Sequence, residues 1–529
     1  MRPIQSEALA AIEEEGAGLF SIGVGWGKTL IGFLAASAAG AGATIYLCPA
    51  STLAQAKAMY QEAKQHFRLK PCVFIPYSRL SRPEGTSMLE TTLKELRRDE
   101  GVSEDSVIMV ADEAHKIQRL TSARTKRVMR FLEAHPRLRF VAMSGTLTSK
   151  SIKDMAGLAE LALGEGSPVP RKRLHLDAWA ECLDVNGQPN PRQWDIVTPL
   201  WSAYNTDSII NVYGRERRRR MRESFQKRFR SAPGVVASEV GALGCSLEVA
   251  SVRNLSVPSV VQEAIALVTE EDESPNGEVL PDDISKWRVL RQLSNGFYYR
   301  WVWPNDEVDE DWMSSRNRWN RQVRIQLERN AEEGYDSPLL VANRIRQEVE
   351  RGASDEIHRA WLSWFDSGQS GKPSPPVETV WLSDYVLDYI DTWIDKHKGG
   401  TVPLIIWYES RAMGEALITR QRMGVYGPGV EVPAAPVTCA MSIRAHGIGK
   451  NLQGWAKQLI VSPPSGGKAW EQLLGRTHRP GQQADVVEAH VLQHTESFTT
   501  ALRKAKEDAY YIEQATGSRQ KLCYCTYTN

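Results

Sequence analysis

Two short stretches hold the residue types that phosphate chemistry needs. In Gly23-Val24-Gly25-Trp26-Gly27-Lys28-Thr29, glycines precede a lysine and a hydroxyl residue. Glycine lets a backbone approach an anion, the N–H groups of a starting helix face it, and a lysine can reach its terminal phosphates. Lys28 is read as a contact to the β- and γ-phosphates of a nucleotide, and Thr29 as a ligand to Mg²⁺. About 80 residues on, Asp112-Glu113-Ala114-His115 follows the apolar run Val107-Ile108-Met109-Val110. One of these carboxylates can hold a metal ion and the next can orient a water, a pairing suited to phosphoryl transfer. Each stretch has a plain alternative alone: a glycine turn that binds nothing, or a solvated acidic turn. The strict phosphate-loop spacing wants glycine where Ile22 stands, so the match rests on Gly25 to Thr29.

The elements that must position these residues follow from hydrophobic pattern. Residues 19–22, 43–48, 72–75, 107–110 and 140–143 read as buried strands, and helical stretches separate them. Strands alternating with helices indicate a doubly wound parallel sheet, whose ligands sit at the carboxyl ends of strands. The rhythm breaks from about 150 to 380, where ten tryptophans fall and helical periodicity marks 258–270, 315–333 and 340–352. Residues 271–284 read as an exposed acidic loop. Residues 215–230 hold nine Lys or Arg and two Glu, a charge of +7 over sixteen residues. Arg217, Arg218, Arg219 and Arg220 are the candidate contacts to a nucleic-acid backbone, with Phe225 and Phe229 interleaved for stacking. The alternative is a solvated face, or one that pairs with acidic loops. Residues 368–376 read as a linker. Strands then resume at 402–408, 437–442 and 458–462, and a helix around Gln472 ends by Pro480. Gln472, Arg476 and Arg479 lie on one face of it, suited to a polyphosphate.

Composition sets wider bounds. A chain of 529 residues is too long for one core and divides into two to four domains. Its 42% apolar and 24% charged residues are ordinary for a globular protein, and no apolar run is long enough to span a membrane. The start lacks the apolar core of a signal peptide, and seven scattered cysteines do not form a disulfide framework. The expected setting is reducing and cytoplasmic.

Together these stretches resemble the superfamily 2 nucleic-acid-dependent ATPases and helicases, over about residues 2–485. Gly25-Trp26-Gly27-Lys28-Thr29 matches motif I, Pro49-Ala50-Ser51-Thr52 is similar to motif Ia, and Asp112-Glu113-Ala114-His115 to motif II in its DEAH form. Ser144-Gly145-Thr146 resembles motif III, and Asn451-Leu452-Gln453 with the glycines before it resembles motif V. Gln472 to Gln482 resembles motif VI, and Arg2-Pro3-Ile4-Gln5 the upstream glutamine motif that reads adenine. The Swi2/Snf2-like branch is most similar, through Arg476-Thr477-His478-Arg479-Pro480-Gly481-Gln482 and through Leu290 to Gly296, and the compact length resembles a phage or bacterial member, which implies the cytoplasm of a bacterium or a phage-infected host.

The resemblance implies an α/β fold of two RecA-like lobes with a mainly helical, Trp-rich region between them. The expected division is 1–255, 256–375, 376–500 and a C-terminal helix and tail at 501–529. It implies an ATP-driven translocase or helicase on DNA, with ATP and Mg²⁺ as ligands and replication or recombination proteins as partners. An RNA-dependent ATPase and a hydrolysis-dead binding protein are the alternatives. Implied catalytic residues are Lys28, Asp112, Glu113, Gln472, Arg476 and Arg479, with Thr29 and Asp112 at the metal. Arg2, Gln5, Gly23, Gly25, Trp26, Gly27, Lys28, Thr29 and Gly449 would hold the nucleotide. Pro49, Ser51, Tyr77, Ser144, Thr146, Ser410, Arg411, Arg444 and Asn451 would touch nucleic acid.

Overall fold

The apolar runs become strands buried on both faces. The structure, a computed structural model, describes residues 1–118, 122–209, 212–238, 244–329, 337–397, 402–447 and 449–528. Among these, β1 (Gly18–Ser21), β2 (Ala43–Cys48), β3 (Cys72–Pro76), β4 (Val107–Asp112), β5 (Arg139–Ser144) and β6 (Val235–Ala237) form a parallel sheet. Its order is β3-β2-β4-β5-β1-β6. β4 and β1 therefore flank β5, and their carboxyl ends bring the acidic pair and the glycine loop to either side of Ser144. Every residue of β1, β2 and β4 is buried, which explains why these strands read as continuous apolar runs.

A second parallel sheet contains β7 (Ser246–Val252), and an antiparallel ribbon follows it, β8 (Phe297–Trp301) with β9 (Val377–Trp381). The sheet continues with β10 (Leu404–Tyr408), β11 (Gly424–Tyr426), β12 (Cys439–Ser442), β13 (Lys457–Ile460), β14 (Val486–Leu492) and β15 (Thr526–Thr528), in the order β11-β12-β10-β13-β14-β7-β15. The fold is α/β, with two RecA-like lobes. β7 pairs with β14 along seven residues, so the second sheet begins at Ser246 and not beyond residue 255. The C-terminal residues are not a free tail: β15 pairs with β7 and extends the same sheet.

Residues 150–238 stay with the first lobe. Helices Arg173–Leu183, Pro191–Ser202 and Gly214–Ser231 bury Trp179 and Trp201 in its core. Six other tryptophans of the middle region build a separate body on the β8–β9 ribbon. Helices Glu310–Arg329, Pro338–Glu350 and Glu356–Trp361 enclose Trp312, Trp319 and Trp364. The Arg316 guanidinium lies 5.3 Å, 5.2 Å and 5.8 Å from the ring centres of Trp301, Trp312 and Trp364, a cation held by three aromatic faces. Its other partner is Glu278, at 2.6 Å. The segment expected as an exposed acidic loop is thus a docked turn. Val279 and Leu280 are buried, and Asp272 pairs with Lys286 and Arg324.

One helix belongs to both lobes. In Glu496–Thr516, Leu502, Ala505 and Ala509 pack in the second core, whereas Tyr511, Ile512 and Ala515 pack in the first. A fully buried side chain such as Ile512 contributes roughly 1.5–3 kcal/mol. The Tyr511 hydroxyl donates to Asp184 at 2.8 Å, and Arg222 donates to Gln514 at 3.0 Å.

Candidate functional site: a cleft between the lobes

The phosphate loop leaves β1 and turns into helix Lys28–Ala38. Gly25 and Gly27 sit at φ +87° and +80°, backbone conformations that other residues rarely adopt. A Cβ on Gly27 would lie 2.2 Å from Gln5 Nε2. No side chain caps the helix that Gly27 opens, so its first N–H groups remain for an anion. Two residues of the first helix, Pro3–Glu15, and of its cap brace the loop. Arg2 donates to the Gly25 carbonyl at 2.6 Å and lies 5.6 Å above the Trp26 ring, while Gln5 donates to the Gly27 carbonyl at 3.2 Å. The buried Lys28 ammonium donates to the Ile22 and Gly23 carbonyls at 2.8 Å and 3.1 Å. The Gly23 N–H donates to Ser238 at 3.1 Å, a contact 215 residues distant that no local spacing reveals.

At the end of β4, Asp112 accepts from the Tyr46 hydroxyl at 2.8 Å and from the Glu113 N–H at 3.0 Å. Glu113 takes φ 53°, a strained turn for a residue with a Cβ. His115 Nδ1 lies 3.1 Å from Glu113 Oε2 and 3.0 Å from Ser144 Oγ. The Ser144 hydroxyl in turn donates to the Thr146 carbonyl at 3.1 Å. A hydrogen-bonded path thus joins the acidic box to β5. Burial, and then the charge of Glu113, push the Asp112 carboxyl up from its ordinary value. Burial also opposes ionisation of Glu113, but Lys28 and His115 outweigh it and hold this carboxyl well below the usual range. Burial pulls His115 down to about 4, so its imidazole is neutral at physiological pH.

The second lobe supplies two arginines through helix Gly467–Thr477 and the turn after it. Arg476 is 4% exposed, and its guanidinium donates to the Gln472 carbonyl at 2.9 Å and the Lys450 carbonyl at 3.1 Å. Burial pulls it down to about 10, which leaves it charged near neutrality. Arg479 donates to Asn451, and its Nε is buried with no partner. A Cβ on Gly25 would lie 3.2 Å from Pro480 Cδ and 3.3 Å from Arg479 Cβ, so this turn rests against the phosphate loop. The lobes enclose a cleft of about 370 Å³. Arg2, Gln5, Gly25, Gly27, Lys28, Thr29, Asp112 and Glu113 line one side, and Gly449, Asn451, Arg476 and Arg479 the other.

These residues fit a magnesium nucleotide. The left-handed glycines, the uncapped helix start and Lys28 suit phosphates, and the Thr29 hydroxyl with Asp112 offers the hard oxygen donors that Mg²⁺ takes. Sequence reasoning missed Thr52, Gln55 and Met59, which also line the cleft from the helix after β2. It missed Lys468 too. Burial pulls that ammonium down to about 7, and it feels the charge of Glu113 from the other lobe. A lysine beside glycines gives no sequence signal of such a position.

Several assigned residues lie elsewhere. Gln472 is buried and serves through its backbone carbonyl, and Trp26 lies under Arg2 rather than among the cleft-lining residues. Tyr77 is not available to nucleic acid: it is 2% exposed, and its hydroxyl donates to the Asp112 carbonyl at 2.7 Å. Ser144 and Thr146 are likewise buried and bonded to each other. Asn451 lines the cleft between the lobes. Pro49 is buried at the end of β2, and Ser51 after it is exposed. Ser410, Arg411 and Arg444 come together in a second groove, at the carboxyl edge of the second sheet.

The basic run is a correction. Arg219 and Arg220 pair with Glu216, Arg219 also with Glu223, and Arg220 with Asp207. Arg218 donates to the Val185 and Gly187 carbonyls, and Arg217 lies 4.2 Å above the Trp194 ring. Phe225 and Phe229 are fully buried and cannot stack on bases. The charges of helix Gly214–Ser231 are spent largely on its own lobe, the pairing alternative that the sequence left open.

A search of curated proteins found no match. Over residues 2–155, a stretch that contains the phosphate loop, the acidic box and Ser144-Gly145-Thr146, the chain is similar to the DEAD/DEAH box helicase family, whose model matches there.

Proposed function

We propose that this chain is a nucleic-acid-dependent ATPase of superfamily 2 that couples ATP hydrolysis to movement along DNA, or to its unwinding. One observation carries the reading: a single cleft gathers the phosphate loop and acidic pair of one lobe with two arginines of the other. The family match over residues 2–155 supports the ATP-hydrolysing part, and the motif VI sequence of residues 476–482 favours a Swi2/Snf2-like motor.

In this reading the loop N–H groups and Lys28 hold the β- and γ-phosphates, and Arg2 with Gln5 face the base. Thr29 and Asp112 would hold Mg²⁺, which would supply neutralising charge at the phosphates. Glu113, kept ionised by Lys28 and His115, orients the attacking water and accepts its hydrogen bond. Arg476 and Arg479 stabilise the charge that develops on the transferred phosphoryl group, and such arginines are worth ~10³–10⁵ in rate. Because they come from the other lobe, hydrolysis and release alter the contact between lobes, and the strand held across both is displaced. Ser51 on the first lobe and Ser410, Arg411 and Arg444 on the second would hold its phosphates, positioning without reading sequence.

The test is steady-state ATP hydrolysis with no nucleic acid, single-stranded DNA, duplex DNA and RNA in parallel. Stimulation of several-fold or more by DNA is expected. Stimulation by RNA alone would transfer the motor to RNA, and a rate unmoved by any of the three would overturn the reading.

A further inference from the structure

The groove that holds Arg411 and Arg444 has features that a phosphate track does not need. It encloses about 820 Å³ between the carboxyl edge of the second sheet and helix Asp283–Leu293. We infer that it takes an unpaired nucleobase of the bound strand, stacked on Trp287 and hydrogen-bonded through Asn295. The inference rests on the nucleic-acid reading above and narrows it to a strand with unpaired bases.

Four observations converge. The first is cationic. Arg444 and Arg411 are 77% and 88% exposed at their side chains, and Arg288 is exposed with no ion-pair or hydrogen-bond partner among the described residues. Their contacts to Glu409 (3.7 Å) and Glu415 (2.7 Å) are surface pairs, easily exchanged for phosphates. The carboxylate of Glu409 does not empty the groove of positive character, because Arg291 also holds it at 2.8 Å. The second is apolar. The half-buried Trp287 lines the groove, and Ile284, 72% exposed, stands at its rim. Lys504 lies 5.2 Å above the Trp287 ring, and among the described residues no aromatic ring stacks on it.

The third observation discriminates a base from a phosphate. Asn295 lines the groove and is 3% exposed. Its Nδ2 donates to the Arg291 carbonyl at 3.0 Å and to Ser462 at 3.1 Å. A carbonyl can only accept, so the amide orientation is fixed. Asn295 Oδ1 is therefore a buried acceptor, and it has no partner. Phosphates carry no donor for it, whereas the exocyclic amino and ring N–H groups of bases do. The fourth is placement: Ser410 and Arg444 follow β10 and β12, so the base site lies directly beside the residues proposed for the backbone.

The experiment measures binding of a labelled single DNA strand and of an abasic strand of equal length, which keeps the phosphates and removes the bases. The unmodified protein is expected to bind the base-bearing strand about tenfold more tightly, the range of one or two stacked bases. Trp287→Ala should bring the two affinities within about twofold of each other, with the salt dependence of binding unchanged, and Trp287→Phe should restore the preference. Equal binding of both strands by the unmodified protein would overturn the base site and leave the motor intact. A preference that survives in Trp287→Ala would overturn this groove as its origin. Failure to bind either strand would overturn the nucleic-acid reading, and the base site with it.

Discussion

Replacing Arg476 separates a catalytic guanidinium from a structural one. The side chain makes two hydrogen bonds to backbone carbonyls, one buried and one partly buried, and lines the cleft. Arg476→Ala leaves the Gln472 and Lys450 oxygens without those donors, at about 1–3 kcal/mol of stability. If the guanidinium also meets the transferred phosphoryl group, kcat falls by ~10³ or more, about 4 kcal/mol of lost transition-state stabilisation. Arg476→Lys keeps a charge and a donor but loses the planar fork. It should recover most of the melting temperature and little of the rate. The assay is nucleic-acid-stimulated ATPase as kcat and KM, beside thermal unfolding and equilibrium binding of a fluorescent ATP analogue. ATP affinity should change less than tenfold, since the contact is made mainly in the transition state. A kcat within tenfold of the unmodified protein in a folded Arg476→Ala variant would refute the role. So would a lysine variant that regains full turnover.

Three further outcomes are expected. Lys28→Ala should abolish ATP hydrolysis and leave far-ultraviolet circular dichroism unchanged, because only two carbonyls lose their donor; near-normal turnover would remove the phosphate-loop assignment. Arg219→Gln with Arg220→Gln should leave the slope of nucleic-acid binding against salt unaltered, since both arginines already pair with carboxylates of their own lobe; a slope reduced by about two would return them to the interface. Burial lowers His494 to about 4 from an unfolded value near 6.5, so the unfolded chain binds its proton first as pH falls. Stability from this residue is complete above pH ~6.5 and is lost towards pH 4, by about 3 kcal/mol at most. The decline in melting temperature across that window should be shallower in His494→Gln, and an unchanged profile would exclude the histidine as a contributor.

The first lobe was legible because its chemistry is local. The phosphate loop, the acidic pair and the strands before them each lie within a few residues, and strands buried on both faces read as apolar runs. What escaped is what depends on distance along the chain. Ser238 binds Gly23 across 215 residues. β7 has alternating burial and pairs with β14, more than 230 residues later, so its own pattern could not say which sheet it joins. Charge was the least readable signal. The same arginine-rich composition fits a phosphate track or an intramolecular ladder, and only the positions of Glu216, Glu223 and Asp207 decide between them. Tyr77 and Ser144 show the converse error. Polar residues at strand ends looked like ligand contacts, yet they hold the acidic box in place from behind.

The helix that contributes to both cores constrains how the molecule can move. Between β6 and β7 the polypeptide passes from one sheet to the other a single time. A lone covalent crossing would let two bodies swivel about any direction. The anchoring of Tyr511, Ile512 and Ala515 in the opposite core adds a second point of attachment. Two points define an axis, and a body fixed at two points retains one rotation. Any excursion of Arg476 and Arg479 from the phosphate loop would therefore follow an arc rather than a cone, and would return the arginines to the same registration.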